Sequence, residues 1–504
     1  MVTFSNFISE SKPESSIVPI SKDYRVFVGG VEIPVYGCRI SAYPFNVWWQ
    51  GHQRPFHQSE EASYVNLVCD GEVTLEVEPL TKKAYERVML KPYSKGVQAT
   101  EKAGKICFTL TENGGYVLEL DDYHHLLYIF NNKPVPCENR EDVTYYFGPG
   151  VHLTGKISLK SGESIYLDKD ALVYGCVYAE NAENIRVYGN GVFDDSAEAR
   201  ICGKECYEYY TNGNAKFYDC KHIRIEGVGF VNSAVWCINL FHCTDVLLDG
   251  MNVFGQWRYN SDGIDAVNSK RVTIRNCFIH SFDDTVVIKG IDRYAYEDNE
   301  DILTEHCVLW CDWGKTLEIG FEANCLAYKN IVFRDCDVLR GGNTVCDIQN
   351  GDCAEVSDVI FEDIRVEYES FYTPYELQKS EDAVYTGQGK IEVPLFLHVS
   401  NAPFRAAYND LEGKGWIPYA REKGDPAYAS VHDILVKNLQ IICDPEIMRR
   451  LPQQKIARLR IVNQIDSTFY GRMTVENLTL NGVRVPREDM EMSFEGNVGT
   501  LNVI

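Results

Sequence analysis

Short runs in which hydrophobic and polar residues alternate at every second position dominate this chain, and little of what lies between them has helix-forming sequence. Alternation at period two marks strands with one face buried. Between Tyr24 and about residue 131 five such runs stand out: Tyr24–Val28, Tyr64–Val68, Val73–Val77, Ile106–Leu110 and Tyr116–Leu120. Polar turns separate them, and Asn113-Gly114-Gly115 between the last two reads as a hairpin turn. Strands at this spacing predict an antiparallel β-sandwich occupying residues 1–135. Asn131-Asn132-Lys133-Pro134-Val135-Pro136 reads as its exit.

Residues 136–504 have a different texture. A unit made of a polar turn, an alternating strand and a bend at Asn, Asp or Gly recurs. Lys221–Val228, Thr244–Met251, Lys270–Cys277, Lys329–Cys336 and Ser357–Ile364 can be laid over one another. The period is somewhat over twenty residues, which is the signature of a solenoid. With almost no helical sequence between the strands, the solenoid is a parallel β-helix whose inward positions stack Val, Ile, Leu and Cys. A second β-sandwich is the competing reading, since Asp249-Gly250 would also suit a hairpin. Residues 367–430, rich in Tyr, Pro and charge, read as a large loop off the solenoid, which resumes at Val431–Val436 and Met473–Leu478. The chain is therefore expected to be all-β throughout.

Length and composition change this picture little. At 504 residues, two domains or one domain with an elongated repeat are expected. The net charge of -24 argues against nucleic acid or an anionic membrane as partner. No stretch is apolar for long enough to span a bilayer, and the N-terminus lacks a basic segment followed by an apolar run, so a cytoplasmic location is expected. The 18 cysteines then read as reduced, buried small hydrophobes. Cys202/Cys206 and Cys307/Cys311 have no companion CxxC or His pair, so no metal and no cofactor are expected.

Candidate chemistry lies in Asn260-Ser261-Asp262-Gly263-Ile264-Asp265 and Phe282-Asp283-Asp284-Thr285. Asp262 precedes the Asp283-Asp284 pair by about one short coil, which places the three carboxylates on adjacent rungs, about 4.8 Å apart in a β-helix. Neighbours in a regular strand point to opposite faces, so Asp283 and Asp284 can both reach solvent only at a bend. Clustered carboxylates cannot all ionise comfortably, which leaves a protonated acid beside an ionised base. An acid facing the leaving oxygen and a carboxylate pair holding water opposite is the inverting glycosidase arrangement. The alternative is an Asn/Asp-rich turn ladder that only caps the bends.

Asn232-Ser233-Ala234-Val235-Trp236, Asn260–Asp265, and Asp283-Asp284 leading to Ile288-Lys289-Gly290 closely resemble the polygalacturonases of glycoside hydrolase family 28, over about residues 145–365. The resemblance implies a right-handed parallel β-helix and hydrolysis with inversion. It also implies that Asp283, or its neighbour Asp284, is the general acid, while Asp262 and the other Asp activate water. Asn260 and Lys289 fall at positions able to meet substrate, although Lys289 could equally form an ion pair with an aspartate.

Two family motifs are altered. The His-Gly of the family corresponds to Trp313-Gly314, with Trp313 either stacking on a sugar ring or filling a groove wall; Trp257 and Tyr259 are similar candidates. Glu318 adds a carboxylate. The Arg-Ile-Lys that grips a uronate corresponds to Asp347-Ile348-Gln349, and an Asp and a Gln suit hydroxyls, not carboxylates. Should that correspondence slip, the clamp would lie on Arg334, Arg340 or Lys315. A sandwich preceding a β-helix also resembles the dextranase family 49, which acts on neutral α-glucans. The expected protein is an inverting, exo-acting glycosidase for a neutral oligosaccharide, with possible homo-oligomers through the solenoid flanks. The alternatives are a polygalacturonase or exo-galacturonosidase proper, a uronate lyase or epimerase, and a non-catalytic carbohydrate-binding solenoid.

Overall fold

The computed structural model describes residues 2–8, 17–42, 54–200, 212–294, 296–352, 354–370, 393–402, 429–464 and 471–504. Two sheets form the N-terminal unit. The outer one runs Val31–Ile33, Tyr24–Val28, Val73–Pro79, Lys105–Leu110, Thr100–Lys102 and is antiparallel throughout. The inner one runs Thr3–Phe4, Ser59–Val68, Asp122–Asn132, Gly114–Leu120, Val88–Lys91, with Tyr36–Ser41 also on Ser59–Val68.

Two features depart from the sequence reading. Ser59–Val68 and Asp122–Asn132 pair in parallel, so the sandwich is mixed, not purely antiparallel. Asn113-Gly114-Gly115 is not a hairpin turn, because the strands on either side of it lie in different sheets. Phe108 and Leu110 face the same core as Leu118 and Leu120, so alternation alone cannot tell the sheets apart. The crossing is fastened by the Asn113 amide, which donates to the carbonyls of Cys69 (2.7 Å) and Asn131 (3.1 Å).

The inner sheet is buried on both sides. Val65, Leu67, Leu127 and Ile129 point into the sandwich. Tyr64, Tyr128 and Phe130 point the other way and pack on Phe254, Phe278 and Trp310 of the second unit. A buried ion network reinforces the junction: Arg340 donates to both Glu119 carboxylate oxygens (2.8 and 3.0 Å), and Lys91 lies between Glu119, Glu367 and Glu369.

From Tyr145 onward the chain coils as a parallel β-helix with three strands per turn. One coil shows the plan: Thr244–Asp249 on the first face, Asn252–Phe254 on the second, Ile264–Val267 on the third. The second face packs against the sandwich. On the third face, Ile264, Val286, Leu317, Cys346, Leu397 and Leu459 stand in register on six successive coils and point inward. Strict alternation then turns Asp265, Val287, Glu318, Asp347, His398 and Arg460 outward as a second ladder.

The recurrent Asn and Asp have a backbone cause. Asn276, His306, Asp335, Asp363, Asn438 and Asn477 occupy the same corner of successive coils, each with φ between 51 and 55°. Among residues with a side chain beyond Cβ, short polar ones tolerate that left-handed conformation best. The stretch 367–430 is not one loop. Leu395–Asn401 is a full third-face strand between Thr344–Asn350 and Arg458–Asn463, while 371–392 and 403–428 lie outside the described residues.

Candidate active site

Asp262 lies in the bend between the second and third faces, and Asp283-Asp284 lies in the same bend one coil later. Backbone bonds stitch the two bends together: Phe282 N–H donates to Ser261 O (3.1 Å) and Gly263 N–H to Asp284 O (2.8 Å). Both acids of the pair can leave the strand because it ends at Ser281. The Ser281 hydroxyl donates to the Asp283 carbonyl (2.6 Å) and lies 2.8 Å from the Thr285 hydroxyl, with Cys311 Sγ 3.2 Å from the same carbonyl. A β-carbon on Gly263 would fall 2.4 Å from the Thr285 carbonyl oxygen. One on Gly314 would meet Asp284 Oδ1 at 2.4 Å and Asp283 Oδ1 at 2.6 Å. Both carboxylates therefore lie against the bare α-carbon of Gly314.

Two ammoniums organise the acids. Lys289 Nζ is 2.9 Å from Asp262 Oδ2, 3.0 Å from Asp265 Oδ1 and 3.7 Å from Asp284 Oδ2, with the Trp236 ring 3.9 Å below it. Lys315 Nζ is 3.4 Å from Glu318 and 3.8 Å from the other oxygen of Asp284, whose Oδ1 also accepts from the Lys315 backbone N–H (3.1 Å). Lys289 is only 3% exposed. Of the two roles open to it from sequence, it takes that of an ion pair with the aspartates.

This arrangement separates the neighbours of the pair. Burial, with the Asp284 charge beside it, pushes Asp283 up to about 8. Burial also opposes ionisation of Asp284, but Lys315 and Lys289 outweigh it and hold this carboxyl below its ordinary value. Burial raises Asp262 well above the carboxylate range and Asp265 to about 7, against the pull of Lys289. Glu318 is raised by burial and then by the nearby charge of Asp284. Of the two neighbours, Asp283 is thus the one whose setting favours the protonated form and Asp284 the one whose setting favours the carboxylate.

The other predicted residues extend the cleft along the outward ladder. Asn260 Nδ2 donates to Asp283 Oδ2 (3.3 Å), and its own carbonyl accepts from Arg200 (2.8 Å). Gln349 Nε2 donates to Asp347 Oδ2 (2.8 Å) and Glu318 Oε1 (3.4 Å), and His398 Nδ1 lies 2.7 Å from Asp347 Oδ1. Trp313 packs flat on Phe282 (5.6 Å between ring centres) and against Tyr259. Trp257 is turned away, edge-on to Phe56, although its carbonyl accepts from Arg54.

Of the alternative clamp residues, Arg334 pairs with Glu305 on the first face and Arg340 with Glu119 in the domain junction; Lys315 alone is in the cleft. Cys307 and Cys311 are separately buried, and Cys202 and Cys206 lie outside the described residues. Sequence reasoning missed Asp265 and His398. The outward alternation of their strands carried the signal for both.

Next to these acids Lys315, Asn343, Gln349, His398 and Arg460 line a cavity of 490 Å³. Residues 144–376 match the family described as Glycosyl hydrolases family 28. The chain is 22% identical over 343 residues to the probable endopolygalacturonase D of Neosartorya fischeri, a match covering 62% of this chain and 67% of that protein. Its fold is similar to that of Dex49A from Penicillium minioluteum, with a TM-score of 0.65 and 11% identity over 97% of this chain and 95% of the other. The protein is a glycoside hydrolase, polygalacturonase-like in sequence and divergent, with a Dex49A-like arrangement of domains.

Proposed function

We propose that the protein hydrolyses a neutral oligosaccharide with inversion at the anomeric carbon. The observation that carries this is the unequal setting of two adjacent carboxyls: Asp284 lies between Lys289 (3.7 Å) and Lys315 (3.8 Å), which favour its ionised form, while Asp283 is buried beside it without an ion pair among the described residues, which favours its protonated form. Asp283 gives its proton to the glycosidic oxygen as the C–O bond breaks. Asp284, with Asp262, holds a water on the opposite face and takes its proton as the new bond forms. Lys289 bridges Asp262, Asp265 and Asp284 and so fixes their relative positions. Trp313, with one face on Phe282, forms an aromatic wall for a sugar.

The wall chemistry supports a neutral substrate. Glu318, Asp347 and Gln349 present acceptors and an amide where a uronate grip would need cations. Each described cation of this wall has an acidic partner: Lys315 has Glu318, Arg458 has Glu491 (3.1 Å), and Arg460 has Glu495 (3.3 Å). The free thiols of all described cysteines support a reducing, cytoplasmic setting and thus short, exo-cleaved substrates.

The test is a panel of neutral and acidic oligosaccharides, with NMR of the first-formed anomer. Cleavage of a neutral member with an inverted product is expected. Turnover of galacturonides alone would overturn the substrate reading. A retained anomer or an unsaturated product would overturn the mechanism.

A further inference from the structure

The second-face strand that leads into Asp283-Asp284 carries a buried group that the mechanism does not use. His280 is fully enclosed, and its Nδ1 lies 2.5 Å from the hydroxyl of Tyr128, which comes from the inner sheet of the sandwich. Its Nε2 lies 2.9 Å from Asp312 Oδ1. An ionised carboxylate only accepts, so Nε2 carries the proton, Nδ1 is the acceptor, and Tyr128 donates. The imidazole is stacked on Trp310 at 4.0 Å between ring centres, 14° from parallel. A chain of hydrogen bonds thus passes from the N-terminal unit through one coil of the solenoid to the next.

It ends at the turn that shapes the site. Asp312 begins Asp312-Trp313-Gly314. Its backbone N–H donates to Ser281 O (3.1 Å), that of Trp313 donates to Phe282 O (2.8 Å), and Thr285 N–H donates to Lys315 O (2.9 Å). These bonds tie the turn to the bend carrying Asp283 and Asp284, and the same turn supplies the Trp313 ring and the Gly314 α-carbon against both carboxylates. Fixing Asp312 at its side chain therefore fixes the spacing between the wall and the acids.

From this geometry we infer that Tyr128 and His280 are positioning residues for the catalytic turn, so that the sandwich is a working part of the active site. The inference rests on Asp283 and Asp284 being the catalytic carboxylates. Tyr128→Phe keeps the ring and its packing and removes only the hydroxyl. Tyr36→Phe is the matched control, because Tyr36 is buried in the same interdomain core and its hydroxyl binds Phe7 N–H and Ser5 O, remote from His280.

In full-length protein, hydrogen exchange is measured by mass spectrometry, and kcat and KM are measured on whichever aryl glycoside the wild type turns over. Tyr128→Phe is expected to speed exchange at 282–285 and 312–315 and to lower kcat about 10- to 100-fold with KM little changed, as small misplacements of catalytic groups do. Tyr36→Phe is expected to do neither. His280→Gln, which keeps a donor toward Asp312, is expected to retain more activity than His280→Ala. Unchanged exchange in Tyr128→Phe, or faster exchange with wild-type kcat, would overturn the inference. If the wild type cleaves no glycoside, the proposed function fails, and the exchange data alone still decide whether the sandwich braces the turn.

Discussion

The first and third faces of the solenoid carry the same device, charged side chains stacked coil upon coil, and use it to opposite ends. On the first face carboxylates of the ladder meet cations at the surface: Asp245 with Arg271 (2.6 Å), Asp249 with Arg275 (2.8 Å), Glu305 with Arg334 (2.5 Å) and Glu362 with Lys437 (3.0 Å). Asp245 is accordingly held below its usual value, first by its hydrogen bond to Arg271. On the third face Asp262, Asp265, Asp284 and Glu318 share Lys289 and Lys315, with Asp283 beside them, and all of these acids are largely buried. Burial and the shortage of cations push most of these acids upward. The ladder is common to both faces. Enclosure and excess negative charge distinguish the third face as the proposed reactive site.

The largest expected contrast comes from removing the proton donor. Asp283→Asn is expected to lower kcat by about 100- to 10,000-fold, the range for a general acid. The same change is expected to stabilise the fold. With a folded value raised to about 8, Asp283 binds its proton more tightly in the native state than in the unfolded chain. Stability from this group is therefore lost as pH rises from the ordinary carboxyl range to about 8. An asparagine does not titrate, so the melting temperature of the variant should exceed that of wild type near pH 8 and converge with it below about pH 4. A variant that is less stable at both ends would remove the distinction between the faces.

The smallest effect belongs to the first face. Arg275→Ala breaks a partly exposed pair and is expected to cost less than about 1 kcal/mol in urea unfolding, with kcat unchanged. A loss of several kcal/mol there would mean that the exposed ladder, too, is structurally critical.

Much of this was legible in the residues. The recurring strand unit announced the solenoid, and the short-coil spacing of Asp262 and Asp283-Asp284 placed the acids together. Other features were not legible, for physical reasons. Phe108 and Leu118 look alike as alternating apolar positions, yet they belong to opposite sheets. Sequence separation also hides Tyr128 from His280, 152 residues away. Asp265 and His398 could have been found by extending the outward alternation from Ile264 and Leu397. The dependence of Asp283 on Gly314 could not, because it requires the closeness of two backbones.

The most direct test of the central claim is the pH dependence of kcat/KM on the oligosaccharide the enzyme cleaves. The proposed mechanism requires Asp283 protonated, so on it activity falls as pH rises through the value of that group. A descending limb near pH 8 is expected. A descending limb near pH 4, the ordinary carboxyl range, would show that the third face does not hold its acid protonated and would contradict the mechanism.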